Sequence, residues 1–108
     1  MARAFLEEDA RVAVTYRKAE EFAALTAAAG ASSSRLEGHA ADVTDEAAVR
    51  ELVGAIRARH GRLDVLVNCV GAFAGGKPLW ESDPKVLDRM LDANLRSGYM
   101  LALSLIHI

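Results

Sequence analysis

Three residues carry the side chains, or the lack of one, whose placement could do chemistry: Asn68, Gly71 and Asn94. Asn68 ends Arg62-Leu63-Asp64-Val65-Leu66-Val67-Asn68-Cys69-Val70-Gly71, an almost unbroken apolar run that stops at a polar residue and a glycine. A side-chain amide followed by small residues lets a flat ligand approach the backbone, and in open α/β sheets ligands bind outside the carboxyl ends of the strands. The same residues also suit a plain turn of the chain. Asn94 falls among Val86, Leu87, Met90, Leu91, Leu95 and Gly98 at helical spacing, so an amide lies on an apolar face and needs a partner there. Cys69 has no histidine near it in sequence and reads as a small buried hydrophobe. Trp80 is expected to pack where a loop meets the last helix. His39, His60 and His107 stand apart, without metal-ligand spacing, so no metal site is expected, and the first two read as surface or strand-edge residues.

The elements that position these groups alternate. Met1 to Glu8 reads as a helix end, with Ala2, Phe5 and Leu6 on one face. Arg11 to Tyr16 is a β-branched, mostly apolar strand. Lys18 to Ala29 is an alanine-rich helix meeting Gly30, followed by a polar loop, Ala31 to Ser34, and a weaker strand, Arg35 to Ala41. Thr44 is the expected N-cap of a helix with Asp45 and Glu46 at its positive end. Val49, Leu52, Val53 and Ile56 share one face of it, and Gly61 stops it. Leu63 to Val67 then reads as a strand buried on both faces of a parallel sheet. After a glycine-rich loop, Ala72 to Lys77, a last helix begins near Ser82 or Asp83, with Pro84 where a missing amide donor costs nothing. Strands alternating with helices are the pattern of a doubly wound parallel sheet, in the α/β class.

At 108 residues and 52% hydrophobic composition the chain is one domain at most. Thirteen basic against fifteen acidic residues, in short mixed clusters, give a net charge of -2 with no one-sided basic surface, which argues against nucleic acid or an anionic membrane as partner. The single cysteine excludes an internal disulfide and fits a reducing compartment. There is no signal-peptide pattern, and the most apolar stretch, Gly98 to Ile108, is too short to span a bilayer. A cytoplasmic protein is expected.

In this order and spacing the motifs resemble those of the short-chain dehydrogenase/reductase family, over Met1 to about Leu103. Asn68-Cys69-Val70-Gly71 resembles the family's Asn-Asn-Ala-Gly after the fourth strand, with Cys69 and Val70 replacing the second asparagine and the alanine. The resemblance implies that Asn68, Val70 and Gly71 line the adenosine side of a dinucleotide. It implies that Asp42 and Val43 meet the adenine ring, and that Asn94 is the helix asparagine of the Asn-Ser-Tyr-Lys tetrad, the one catalytic group present, anchoring a water in a proton relay. At the family's acidic position after the second strand this chain has uncharged Tyr16, then Arg17. A carboxylate there would repel a 2′-phosphate and a cation would bind it, so NADP is expected over NAD. Arg17 also fits a solvated charge at the start of a helix.

The family's opening strand and Thr-Gly-x-x-x-Gly-x-Gly turn, which binds pyrophosphate, and its catalytic Ser and Tyr-x-x-x-Lys do not occur in these 108 residues. The expectation is therefore a partial dinucleotide-binding domain, residues 1–108: a Rossmann-fold fragment lacking the first strand, the glycine-rich loop and everything after the fourth large helix. Such a fragment would be inactive as it stands. Ser104-Leu105-Ile106-His107-Ile108 does not resemble the family's continuation and reads as a non-native tail, from a truncated gene model or a sequencing artefact. The resemblance implies a homo-oligomeric parent that transfers hydride between the nicotinamide and a carbonyl or secondary alcohol, 3-oxoacyl-carrier-protein-reductase-like. The alternative is a non-catalytic nucleotide-binding or regulatory module on the same fold.

Overall fold

The computed structural model describes residues 1–106. The chain divides into two compact units, Met1–Asp42 and Val43–Ile108. The proposed tail falls partly within the described residues, where Ser104 and Leu105 continue a helix, while His107 and Ile108 lie outside them.

The first unit contains α1 (Ala2–Glu7), β1 (Val12–Tyr16), α2 (Ala19–Ala29), a 3-10 segment (Gly30–Arg35) and β2 (Leu36–Ala40). The two strands pair in parallel, Val12 opposite Leu36 through Tyr16 opposite Ala40. Parallel pairing requires a crossover, which α2 supplies. Helix and sheet meet at Gly38, where a β-carbon would lie 2.5 Å from the Phe22 ring. That space lets Phe22 lie flat, stacked on Tyr16 with centroids 5.0 Å apart and 9° between planes. Arg35 ties the unit's beginning to its middle: its guanidinium donates at 2.6 Å to the Leu6 carbonyl at the end of α1, which also accepts from Asp9 N at 3.2 Å, and pairs with the Asp9 carboxylate at 3.4 Å. Residues 31–34 are not the expected irregular loop. They continue the 3-10 turn, because serines cap tight i to i+3 turns readily and Arg35 donates to Ser32 Oγ at 3.4 Å.

In the second unit the long helix α3 (Glu46–His60) packs on α5 (Ser97–Leu105). Val43, Val49, Leu52, Val53 and Leu101 form the core, with Ile56 and Leu105 against it, as the one-sided spacing of α3 requires. The N-cap is Asp45 rather than Thr44: Asp45 has extended backbone and its carboxylate accepts from Ala47 N at 2.9 Å. A carboxylate also complements the helix dipole, which a hydroxyl does not, and this decides between two adjacent capping residues. Gly61 ends the helix at φ 73°, a left-handed conformation that glycine adopts without a β-carbon clash.

The largest correction concerns the apolar run. Leu63 to Val67 forms no paired strand, and Val65, Leu66 and Val67 are 57%, 42% and 44% exposed rather than buried on two faces. A strand exists through its ladder partners, and among the described residues the second unit offers none. Cys69 is accordingly exposed, not buried. Trp80, in a 3-10 turn at Leu79–Glu81, is 84% exposed, because the loop before it brings no apolar side chains against it.

The last helix starts as the sequence requires, with Asp83 capping Lys85 N at 2.9 Å and Pro84 in first position. It is not uniform, however. α4 (Pro84–Leu91) passes into a π segment (Asp92–Arg96) and then α5. Its row of Leu87, Leu91, Leu95, Tyr99 and Leu103 is exposed, so this apolar stripe is open to water.

Candidate dinucleotide site

Candidate site residues occur in both units. In the first, the parallel pairing of β1 and β2 brings their carboxyl ends to one edge: Ala41 N donates to Tyr16 O at 3.2 Å, so Tyr16 and Arg17 lie beside Ala41 and Asp42. Tyr16 is half-buried by its stack on Phe22. Arg17 and Asp42 are exposed, and among the described residues Arg17 pairs with no carboxylate. A cation left unpaired at a strand end is what a phosphate needs.

In the second unit, the Val43 side chain is buried in the core. Asn68, Val70 and Gly71 lie in the extended run with Asn94 beside them. The Asn68 Oδ1 accepts from Val70 N at 3.3 Å, a local turn that shapes the run's end. Asn94 pairs edge to edge with the peptide of Ala72, accepting from its N–H at 3.0 Å and donating to its carbonyl at 2.9 Å. Its second amide proton goes to the Met90 carbonyl at 2.9 Å. Both Nδ2 protons are thus used, and one acceptor direction on Oδ1 remains. This is the partner that an amide in an apolar row demands, although Asn94 is itself exposed. Gly71 makes the approach possible, since a β-carbon there would sit 2.8 Å from Asn94 Oδ1.

Asn94 stands in the π segment, and single π turns recur at functional sites. Ser97, fully buried, donates its hydroxyl to Ala93 O at 2.8 Å in the same stretch. Arg62 and Asp64 are bridged two residues apart, and the hydrogen bond and charge of Asp64 raise the Arg62 pKa further above its already high ordinary value. Arg62 therefore stays cationic and brings no pH dependence. Among the described residues no cluster of three His, Cys, Asp or Glu side chains is placed to hold a metal ion, and no helix is long and apolar enough to cross a membrane.

Ala72 and Gly98 are visible in the sequence as a loop start and a member of the Asn94 row, but their contacts with the two asparagines are not. Ala72 acts through its backbone, which no side chain announces. Gly98 follows Asn94 by one helical turn, and that spacing was the available signal.

The family model described as enoyl-(acyl carrier protein) reductase matches residues 1–108. D-threitol dehydrogenase of Mycolicibacterium smegmatis is 34% identical over 101 residues, covering 94% of this chain and 38% of that protein. A short-chain dehydrogenase/reductase from Burkholderia xenovorans superposes with a TM-score of 0.90 at 32% identity, over 99% of this chain and 40% of that one. A metagenomic short-chain oxidoreductase solved in complex with NADP gives 0.87 at 33%, over 95% and 47%. The chain therefore spans under half the length of these relatives. Its two parallel strands with flanking helices are part of their Rossmann-like fold, and on sequence and structure together the chain belongs to the short-chain dehydrogenase/reductase family.

Proposed function

We propose that this chain provides the adenosine side of an NADP-dependent oxidoreductase that acts on a carbonyl or secondary alcohol. The observation that carries the reading is the end of β1, where Tyr16 brings no carboxylate and exposed Arg17 has no carboxylate partner among the described residues. A relative of like fold was solved with NADP, which supports the same choice.

The residues fit the adenosine half of such a cofactor. Arg17 would hold the 2′-phosphate by charge-assisted hydrogen bonds, and Asp42 with the Val43 backbone would meet the adenine. Asn68, Val70 and Gly71 would lie against the ribose side, where the Gly71 backbone is open to close approach. When bound, NADP supplies the hydride chemistry. Asn94 holds the Ala72 peptide and acts as a positioning residue, with its remaining acceptor direction available to a water of a proton relay. The 108 residues contain neither Tyr-x-x-x-Lys nor the glycine-rich phosphate turn, so this polypeptide alone is expected to be inactive. The finer assignment is a cytoplasmic, homo-oligomeric enzyme resembling 3-oxoacyl-carrier-protein reductases. The exposed apolar row from Leu87 to Leu103 supports association between copies.

Reading the gene on both sides of this stretch tests the proposal. In-frame Thr-Gly-x-x-x-Gly-x-Gly upstream and Tyr-x-x-x-Lys downstream are expected. Their absence would overturn the enzymatic reading in favour of a non-catalytic nucleotide-binding module.

A further inference from the structure

Two glycines and two asparagines of the second unit face each other in a crossed arrangement. Asn94 of the π segment seats on Gly71, where a β-carbon would meet Oδ1 at 2.8 Å. Asn68 of the extended run seats on Gly98 of α5, where a β-carbon would meet Nδ2 at 2.5 Å and Cγ at 3.4 Å. Each segment thus contributes one amide and one vacancy to the other. Between the two seats, Asn68 Oδ1 holds Val70 N, and Asn94 holds both the N–H and the carbonyl of Ala72. Among the described residues the one sheet is β1 with β2, and in residues 68–72 side-chain amides hold Val70 N and both backbone groups of Ala72.

We infer that Gly98 is a positioning residue: it makes room for the Asn68 amide, and with the Gly71–Asn94 seat it latches residues 68–72 onto the helix. The latch rests on the cofactor reading only for its purpose, which is to present that segment to the dinucleotide. Its geometry stands independently of that reading.

A helix-interior glycine is ordinarily improved by alanine, because alanine loses less backbone entropy on folding. The clash with Asn68 reverses that sign, and the reversal is testable in the 108-residue chain. Gly98→Ala is expected to lower the melting temperature when Asn68 is present. In an Asn68→Ala background, where the opposing amide is gone, the same change should raise it. Amide exchange followed by NMR supplies a second measurement: Gly71→Ala and Asn94→Ala should each speed exchange at Ala72 by about tenfold, the loss of one hydrogen bond, while Leu52 and Val53 in α3 keep their protection. A melting temperature raised by Gly98→Ala in both backgrounds, or Ala72 exchange unchanged in both variants, would overturn the latch. NADP titrated into the isotope-labelled protein expressed from its own gene with all in-frame sequence separates the two ideas. Shifts at Asn68, Gly71 and Ala72 support the purpose assigned to the latch. Sign reversal without any such shift would leave the latch in place and overturn the cofactor reading.

Discussion

Gly38 shows how much one missing methyl can organise. Its hydrogen faces the Phe22 ring, and a β-carbon would meet three ring carbons at 2.5 to 2.7 Å. Gly38→Ala must push Phe22 off Tyr16, so destabilisation of about 1 to 3 kcal/mol is expected from overpacking. Gly54 is the control: it lies mid-helix in α3 with nothing within 4 Å of a β-carbon, and Gly54→Ala should stabilise by about 0.5 to 1 kcal/mol. Urea denaturation of both variants checks the opposite signs. In the sequence Gly38 looked only like a weakness in a strand, because its reason lies in a contact sixteen residues away. Asn94 was legible as an amide in want of a partner. That the partner is the peptide of Ala72 was not, since a backbone group has no residue type to read.

At the scale of elements, the local signals held where the deciding interactions are local. Capping by Asp83, arrest at Gly61 and the one-sided row of Val49, Leu52 and Val53 depend on neighbours within a few turns, and they stand where the spacing puts them. Asp45→Ala should cost about 1 kcal/mol through loss of the cap to Ala47 N, measured by thermal unfolding. The apolar run 63–67 failed as a strand for the complementary reason. Composition can make a segment fit for a sheet centre, but the strand is made by its ladder, and that ladder is non-local. The π segment at Asp92–Arg96 was equally invisible, because one widened turn barely disturbs an apolar spacing read from Val86 to Gly98.

For the whole molecule, the row Leu87, Leu91, Leu95, Tyr99 and Leu103, together with Val65 and Val67, stands exposed, and large apolar side chains exposed along one helix favour association. The 108-residue polypeptide is expected to self-associate and to be marginally stable. Sedimentation at micromolar concentration should show species larger than the monomer, and Leu95→Lys should reduce them. Sharp, reversible unfolding of a monomer would show that this surface is harmless. The central claim, an adenosine site that selects NADP through Arg17, is tested most directly by cofactor discrimination in the protein expressed from its own gene with all in-frame sequence. The prediction is that ketone reduction prefers NADPH over NADH, and that Arg17→Ala weakens NADPH use by a charge-assisted contact, on the order of 1.5 to 3 kcal/mol in kcat/KM, leaving NADH nearly unchanged. Preference for NADH, or an equal loss with both cofactors, would contradict it.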